Sequence, residues 1–98
     1  MIRLSDEAER QLAALLHHYA RLGRPEAGRN LIAAVDQASA RIEREPEKGL
    51  VAPRPYPALA RPGRLWTKAG PYWIAYTPAL PPVILGIFYD AADIPGRV

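Results

Sequence analysis

Residues 65–89 read LWTKAGPYWIAYTPALPPVILGIFY and contain three apolar runs separated by two turn-forming segments. Leu65–Lys68 and Tyr72–Thr77 have the short period typical of strands with one buried face, and Ala69–Pro71 between them is predicted to be a turn. Val83–Tyr89 is apolar throughout, which is typical of a central strand or of one covered on both faces. The stretch therefore predicts three consecutive strands of a mainly antiparallel sheet.

The aromatic residues of these strands divide between the two faces of the sheet. Alternation places Tyr72, Ile74 and Tyr76 on one face, and we expect this face to contact the rest of the core. Trp66 and Trp73 are then expected on the opposite face, exposed, in a patch with a cationic rim. Such a patch could stack bases or bind an acidic, amphipathic segment of a partner.

Residues 46–62, upstream of the sheet, are rich in proline. Pro53, Pro55 and Pro57 fall at alternate positions, where each removes a backbone donor and fixes φ, so the sequence predicts an extended connector and not a helix. Apolar residues along the connector predict that it is ordered, because a flexible linker lacks such anchors. They are Leu50, Val51, Tyr56 and Leu59.

Two amphipathic helices are predicted between residues 6 and 45. Ser5 is a good N-cap for the first, Gly23 ends it, and Pro25 suits the first turn of the second. Pro46 is expected to end the second helix. The polar residues of the first helix, Glu7, Arg10, Gln11, His18 and Arg21, fall away from its apolar stripe. The two stripes describe an antiparallel helical hairpin.

These elements predict a single α+β domain over residues 1–98, in the order β-α-α-β-β-β, because so short a chain builds one core. Ile2–Leu4 supplies the first strand, at an edge of the sheet. The parts are the helical hairpin (6–45), the proline-rich connector (46–62), the antiparallel sheet (63–90) and a tail (91–98).

The net charge of +3 is unevenly distributed. Residues 1–49 hold eight Lys/Arg and eight Asp/Glu, so the whole excess lies in residues 50–98. No acidic residue occurs between Glu47 and Asp90. The basic residues of that interval are Lys48, Arg54, Arg61, Arg64 and Lys68. A surface of one sign attracts an anionic partner, which could be nucleic acid or an acidic protein.

Several classes of protein are disfavoured by the sequence. It has no cysteine, no zinc spacing and no glycine-rich phosphate loop, so we expect no metal and no small-molecule cofactor. His17 and His18 are adjacent on a helix and cannot share a metal ion. No apolar run is long enough to cross a membrane, and the polar start predicts no signal peptide. The expected location is the cytoplasm.

Four strings resemble, in the same order, those of the RelE/ParE toxin superfamily. Leu4–Glu9 is similar to the family's L-S-x-x-A-x-x-D-L start of the first helix, and Pro25–Gly28 to the start of its second. Gly70–Tyr76 resembles the strand G-x-Y-R-I-x-Y, with Trp73 in place of the arginine. Phe88–Pro95 resembles the H-x-A-R-D-I-P ending of ParE-like members. The resemblance spans nearly the whole chain.

The resemblance implies the toxin of a type II toxin–antitoxin system, neutralised by a cognate antitoxin from an adjacent gene. The Asp93–Pro95 ending favours the ParE-like branch, whose target class is DNA gyrase. Two alternatives stay open. One is a RelE-like endoribonuclease that cleaves ribosome-bound mRNA, although the basic, aromatic C-terminal ending of those enzymes is absent. The other is a degenerate toxin that acts only as an interaction module, suggested by Trp73.

Three sets of candidate site residues follow. For binding a target they are Arg54, Arg61, Arg64, Lys68 and Arg97. For RNA cleavage without a metal, Arg61, Arg64, Lys68 and Arg97 would stabilise the phosphorane, and Tyr72, or Tyr76 or Tyr89, would transfer protons. An unperturbed tyrosine titrates near ~10 and needs strong tuning to act as a base. For binding an antitoxin the candidates are Trp66, Trp73 and Tyr89.

Overall fold

The computed structural model describes residues 2–54, 56–90 and 94. Its elements are β1 (Arg3–Leu4), α1 (Asp6–Arg21), α2 (Pro25–Arg44), β2 (Leu65–Ala69), β3 (Tyr72–Thr77) and β4 (Val83–Tyr89). Short 3-10 turns lie at Pro46–Lys48 and Pro57–Leu59. The order β-α-α-β-β-β and the α+β class are as predicted from the sequence.

The four strands form one mixed sheet in the order β1-β4-β3-β2. β1 pairs in parallel with β4, while β2–β3 and β3–β4 are antiparallel. β4 is therefore internal, as its continuous apolar sequence predicts, and β1 is a two-residue edge. A bulge interrupts the β3–β4 ladder, where Ala75 pairs with Gly86 but Tyr76 pairs with Ile84.

The helical hairpin begins and turns where the sequence predicts. The Ser5 hydroxyl accepts a hydrogen bond from the backbone N–H of Ala8 at 3.1 Å. Gly23 has φ of 65°, a left-handed conformation that glycine adopts without strain, and Pro25 starts α2. The helices cover one face of the sheet, and we call their shared apolar layer the helix-side core. Its members include Leu31, Val35, Ala38 and Ile42 of α2 with Tyr72, Ile74 and Tyr76 of β3.

The connector is not extended throughout, which corrects the prediction from its prolines. The two 3-10 turns begin at Pro46 and Pro57, because proline at the first position of a helical turn needs no donor and already has the required φ. Between these turns, Leu50 exchanges two backbone hydrogen bonds of 2.7 Å with Trp66. This bridge directs the connector across the face of the sheet that the helices leave open.

The expected exposure of Trp66 and Trp73 is wrong, because the connector covers them. Trp66 is 0% exposed and Trp73 is 5% exposed. They belong to a second apolar layer, the connector-side core, with Leu59, Ala75, Phe88 and Ile94, and with Leu50, Tyr56 and Leu85 partly buried against it. The prolines fix the shape of the connector, whereas its path is set by pairing with β2.

Within residues 2–54 and 56–90, no helix is long and apolar enough to cross a membrane. In the same part of the chain, no three His, Asp or Glu side chains are placed to hold a metal ion together.

Candidate functional site

A cleft of about 590 Å³ opens between the connector and strands β2 and β3. It is lined by Lys48, Gly49, Leu50, Arg54, Trp66, Thr67, Lys68, Trp73 and Asp90. We call it the cationic cleft, because three of these side chains are basic and one is acidic. Arg54 and Lys68, two of the candidates for binding a target, lie in it and are exposed.

Asp90 joins two of the predicted site residues. Its carboxylate lies 3.5 Å from Nζ of Lys68 and accepts a hydrogen bond from Nε1 of Trp73 at 3.1 Å. Nζ of Lys68 also lies 5.3 Å from the centroid of the Trp73 ring. The basic residues between Glu47 and Asp90 therefore do not form an acid-free surface. The fold places the carboxylate of Asp90 beside Lys68, where it reduces the local positive charge.

Arg61 and Arg64 have different environments, although the sequence predicts equal roles for them. Nη2 of Arg64 donates to the carbonyl oxygen of Leu59, and its guanidinium carbon lies 5.1 Å from the centroid of the Trp66 ring. Burial, and secondarily the charge of Arg61, lowers the pKa of Arg64. Arg61 is exposed and donates to the carbonyl oxygen of Ala60 at 2.8 Å. Arg64 therefore holds the connector on the sheet, while Arg61 presents its charge to solvent.

Tyr72 does not lie with the candidate cations. Its side chain belongs to the helix-side core, where its hydroxyl is 2.5 Å from that of Tyr19. Burial raises the pKa of Tyr72, and the bond to Tyr19 raises it further, so that its deprotonation becomes less favourable. Lys68 and Arg64 stack on tryptophans of the opposite side. The structure therefore separates the tyrosine and the cations that RNA cleavage would need at one phosphate. Arg97 lies outside the described residues.

Some residues of the cleft were not found from the sequence. Gly49 is one of them, and its lack of a side chain lets Tyr76 and Leu65 pack directly against its backbone. A Cβ at this position would overlap the hydroxyl of Tyr76 and the Cβ of Leu65. That hydroxyl donates to the carbonyl oxygen of Pro46 at 2.7 Å. Burial raises the pKa of Tyr76, so it stays a neutral donor. A glycine directly after a proline-initiated turn was the available signal.

Arg41 of α2 was also missed. Its Nη1 donates to Oγ1 of Thr67 and to the carbonyl oxygen of Lys68, each at 2.7 Å. An arginine in the last turn of a helix is ordinary in sequence, since it complements the helix dipole. Here it also fixes β2, and with it the backbone that carries Lys68 into the cleft.

Tyr89 lines a second opening and not the cationic cleft, which Trp66 and Trp73 line. This opening measures about 670 Å³, and we call it the α1–β4 groove. It is lined by Gln11, Ala14, Leu15, His18, Tyr19, Leu22, Arg24, Ala27, Asn30, Pro71, Tyr72, Ile87, Phe88 and Tyr89. Leu22 and Tyr89 are large apolar residues that remain 55% and 41% exposed. Of the three candidates for binding an antitoxin, Tyr89 is the accessible one.

Comparison with known proteins identifies the family. The family model described as the ParE toxin of the type II toxin–antitoxin system, parDE, matches residues 2–89. Searches of curated proteins and of solved structures find no significant match. The matched range includes all six helices and strands described above, from β1 to the end of β4. The chain therefore belongs to the ParE toxin family and is the toxin of a type II toxin–antitoxin system.

Proposed function

We propose that the protein arrests growth by binding DNA gyrase and that a cognate antitoxin neutralises it. The family implies the antitoxin, and the ParE-like features of the sequence support gyrase as the target. The observation that favours binding over RNA cleavage is the position of Tyr72, on the side of the sheet opposite Lys68 and Arg64.

Cleavage of RNA without a metal needs a base, an acid and cations around a single phosphate. In this chain Tyr72 is buried against the helices, and the guanidinium of Arg64 is bonded to the connector. Neither group is available to a phosphate in the cationic cleft. Binding has weaker requirements, because it needs exposed charge on a stable frame.

The excess of positive charge lies in residues 50–98, which supply most of the connector side of the molecule. Arg54 lines the cationic cleft and Arg61 is exposed, and neither has an acidic partner within the described residues, whereas Lys48 pairs with Glu45 at 2.7 Å and Lys68 lies 3.5 Å from Asp90. Like-signed charges on one side speed the encounter with an acidic surface, and salt screens this effect over roughly 8–10 Å. We therefore propose that this side contacts gyrase and that raised salt weakens the inhibition.

The test is a gyrase supercoiling assay on relaxed plasmid with purified toxin. The wild type should inhibit, and Arg54→Ala and Arg61→Ala should each raise the concentration for half-inhibition about three- to tenfold, since a tenfold change corresponds to about 1.4 kcal/mol. Arg29→Ala removes the same charge from an exposed position on α2 and should have no effect. Unaffected gyrase at excess toxin would reject this target.

One observation favours the nuclease as a second candidate: an aromatic cleft with three basic side chains could hold single-stranded RNA. That candidate predicts cleaved transcripts after the toxin is induced, whereas a gyrase inhibitor leaves mRNA intact and blocks supercoiling. The degenerate-toxin hypothesis predicts normal growth on induction, so a strong arrest excludes it.

A further inference from the structure

Strand β4 is longer than the strand beside it. β1 pairs only with Val83 and Ile84, while β4 continues to Tyr89. At Ser5 the chain leaves the sheet to begin α1, and the backbone N–H of Ser5 donates to the carbonyl oxygen of Ile84 at 2.8 Å. The same edge of β4 beyond this point has no neighbouring strand among the described residues.

A side chain occupies the place of the missing strand. Oε1 of Gln11, on α1, accepts a hydrogen bond from the backbone N–H of Ile87 at 2.7 Å. A glutamine amide presents the same carbonyl group as a peptide bond. Gln11 therefore satisfies Ile87 as a neighbouring strand would, but through a half-buried side chain with several rotatable bonds. The exchange of this amide for a backbone carbonyl would conserve the hydrogen bond.

The α1–β4 groove runs beside this edge. Ile87 belongs to the helix-side core and Phe88 to the connector-side core, and both line the groove, so it reaches the edge between the two faces. The exposed side chains of Leu22 and Tyr89 stand along it. An added strand would turn alternate side chains toward these apolar surfaces.

The charge of the groove indicates the chemistry of its occupant. Among the residues that line it, all in the described part of the chain, Arg24 alone is charged at neutral pH with histidine neutral. Its contact with Glu26 is long, 3.8 Å, and both side chains are more than half exposed. An acidic side chain on the occupant would find a cation here and no competing carboxylate in the lining.

We propose that the edge of β4 from Leu85 to Tyr89 is a strand-addition site for the antitoxin. An extended antitoxin segment, apolar at alternate positions and acidic near Arg24, displaces Gln11 and donates its own backbone carbonyl to the bond with Ile87. This inference rests on the proposed neutralisation by an antitoxin. It makes Gln11 a competitor of the partner and not a contact of it.

The test measures the affinity of the toxin for the full-length product of the adjacent reading frame by titration calorimetry. Gln11→Ala should tighten binding about two- to tenfold, because it removes a hydrogen bond worth about 0.5–1.5 kcal/mol from the free toxin alone. Gln11→Glu should weaken binding, because a carboxylate holds the Ile87 N–H more strongly and repels an acidic segment. Gln37→Ala, the same change at an exposed position of α2, should leave the affinity unchanged.

Amide hydrogen exchange supplies a readout that does not depend on affinity. The Ile87 amide should become more protected in the complex. Tyr89→Ala should weaken binding about tenfold, because it removes an exposed aromatic side chain from the groove, and circular dichroism should show that the fold is retained. Absence of any complex overturns both this inference and the proposed neutralisation. A complex that Gln11→Ala weakens, or in which Ile87 is no better protected, overturns the strand addition alone. Protection of Ile87 by self-association of the toxin assigns the edge to a second copy and also overturns the proposal.

Discussion

Both faces of the sheet are buried, but they are covered by different kinds of chain. On one face, α1 and α2 contribute apolar stripes that repeat every turn, so many equivalent contacts share the burial. On the other face, an irregular connector contributes single anchors, chiefly Leu59 and the bridge between Leu50 and Trp66. The connector-side core therefore depends on a few contacts, each of which carries a large share of the cover.

The two layers also differ in how well their polar groups are satisfied. Three buried side-chain atoms have no hydrogen-bond partner within the described residues: Trp66 Nε1 and Arg64 Nε on the connector side, and Ser39 Oγ on α2. Each such donor costs about 1–3 kcal/mol. The connector side therefore carries the larger part of this cost.

The largest effect is expected for Trp66→Ala. Removal of a fully buried indole should lower the free energy of unfolding by about 3–5 kcal/mol, a large part of what a small domain has. Urea denaturation followed by far-ultraviolet circular dichroism measures it. A loss below about 0.5 kcal/mol, the usual range for surface positions, would contradict the burial of Trp66 and the existence of the connector-side core.

Leu59→Ala tests whether the connector-side core can be disturbed without disturbing the helix-side core. We expect a loss of about 2–4 kcal/mol, because Leu59 is the main apolar anchor of the second 3-10 turn. Leu80→Ala, at a position 90% exposed, should change stability by no more than about 0.5 kcal/mol.

Both tryptophans of the chain lie under the connector, so their fluorescence reports its docking. Acrylamide quenching should increase in folded Leu59→Ala but not in Leu31→Ala, which opens the helix-side core instead. Equal quenching in the two variants would contradict the separation of the layers.

The smallest contrast is between two neighbouring arginines. Arg64→Ala should lower the free energy of unfolding by about 1–2 kcal/mol, since it removes a contact with an indole ring and a bond to the Leu59 carbonyl. Arg61→Ala should stay within about 0.5 kcal/mol, because its side chain is exposed. Parallel urea titrations of the two variants decide this, and equal losses would mean that both arginines hold the connector.

Local periodicity explains which parts of the fold were predictable. The helical stripes, the Ser5 cap and the alternation of Tyr72, Ile74 and Tyr76 are properties of short segments, and each was placed as predicted. The cover of Trp66 was not predictable in this way. It depends on pairing between Leu50 and Trp66, residues from separate segments, and the proline pattern carries no information on the direction of the connector.

The candidate site was less predictable than the fold, because distant residues determine its members. In sequence Asp90 marks the end of an interval without acids, whereas in the fold it contacts Lys68 within that interval. The helical period places Gln11 on the polar side of α1, yet its side chain accepts a hydrogen bond from a strand that begins more than 70 residues later. Neither relation has a local signal. The roles of the cationic side chains and of Tyr89 stay predictions.

The parallel pair of β1 and β4 constrains when the protein can fold. The hydroxyl of Ser5, which caps α1, donates to the carbonyl oxygen of Leu85, 80 residues away. Contacts so distant in sequence form late, after the entropy of closing a long loop has been overcome. On the ribosome the pairing of β1 and the bond from Ser5 to Leu85 therefore wait for the last strand to emerge, whereas the bond from Ala8 to Ser5 that caps α1 is local. We therefore expect the nascent chain to complete its sheet only after β4 has left the ribosome, so any binding that needs the folded domain begins after that point.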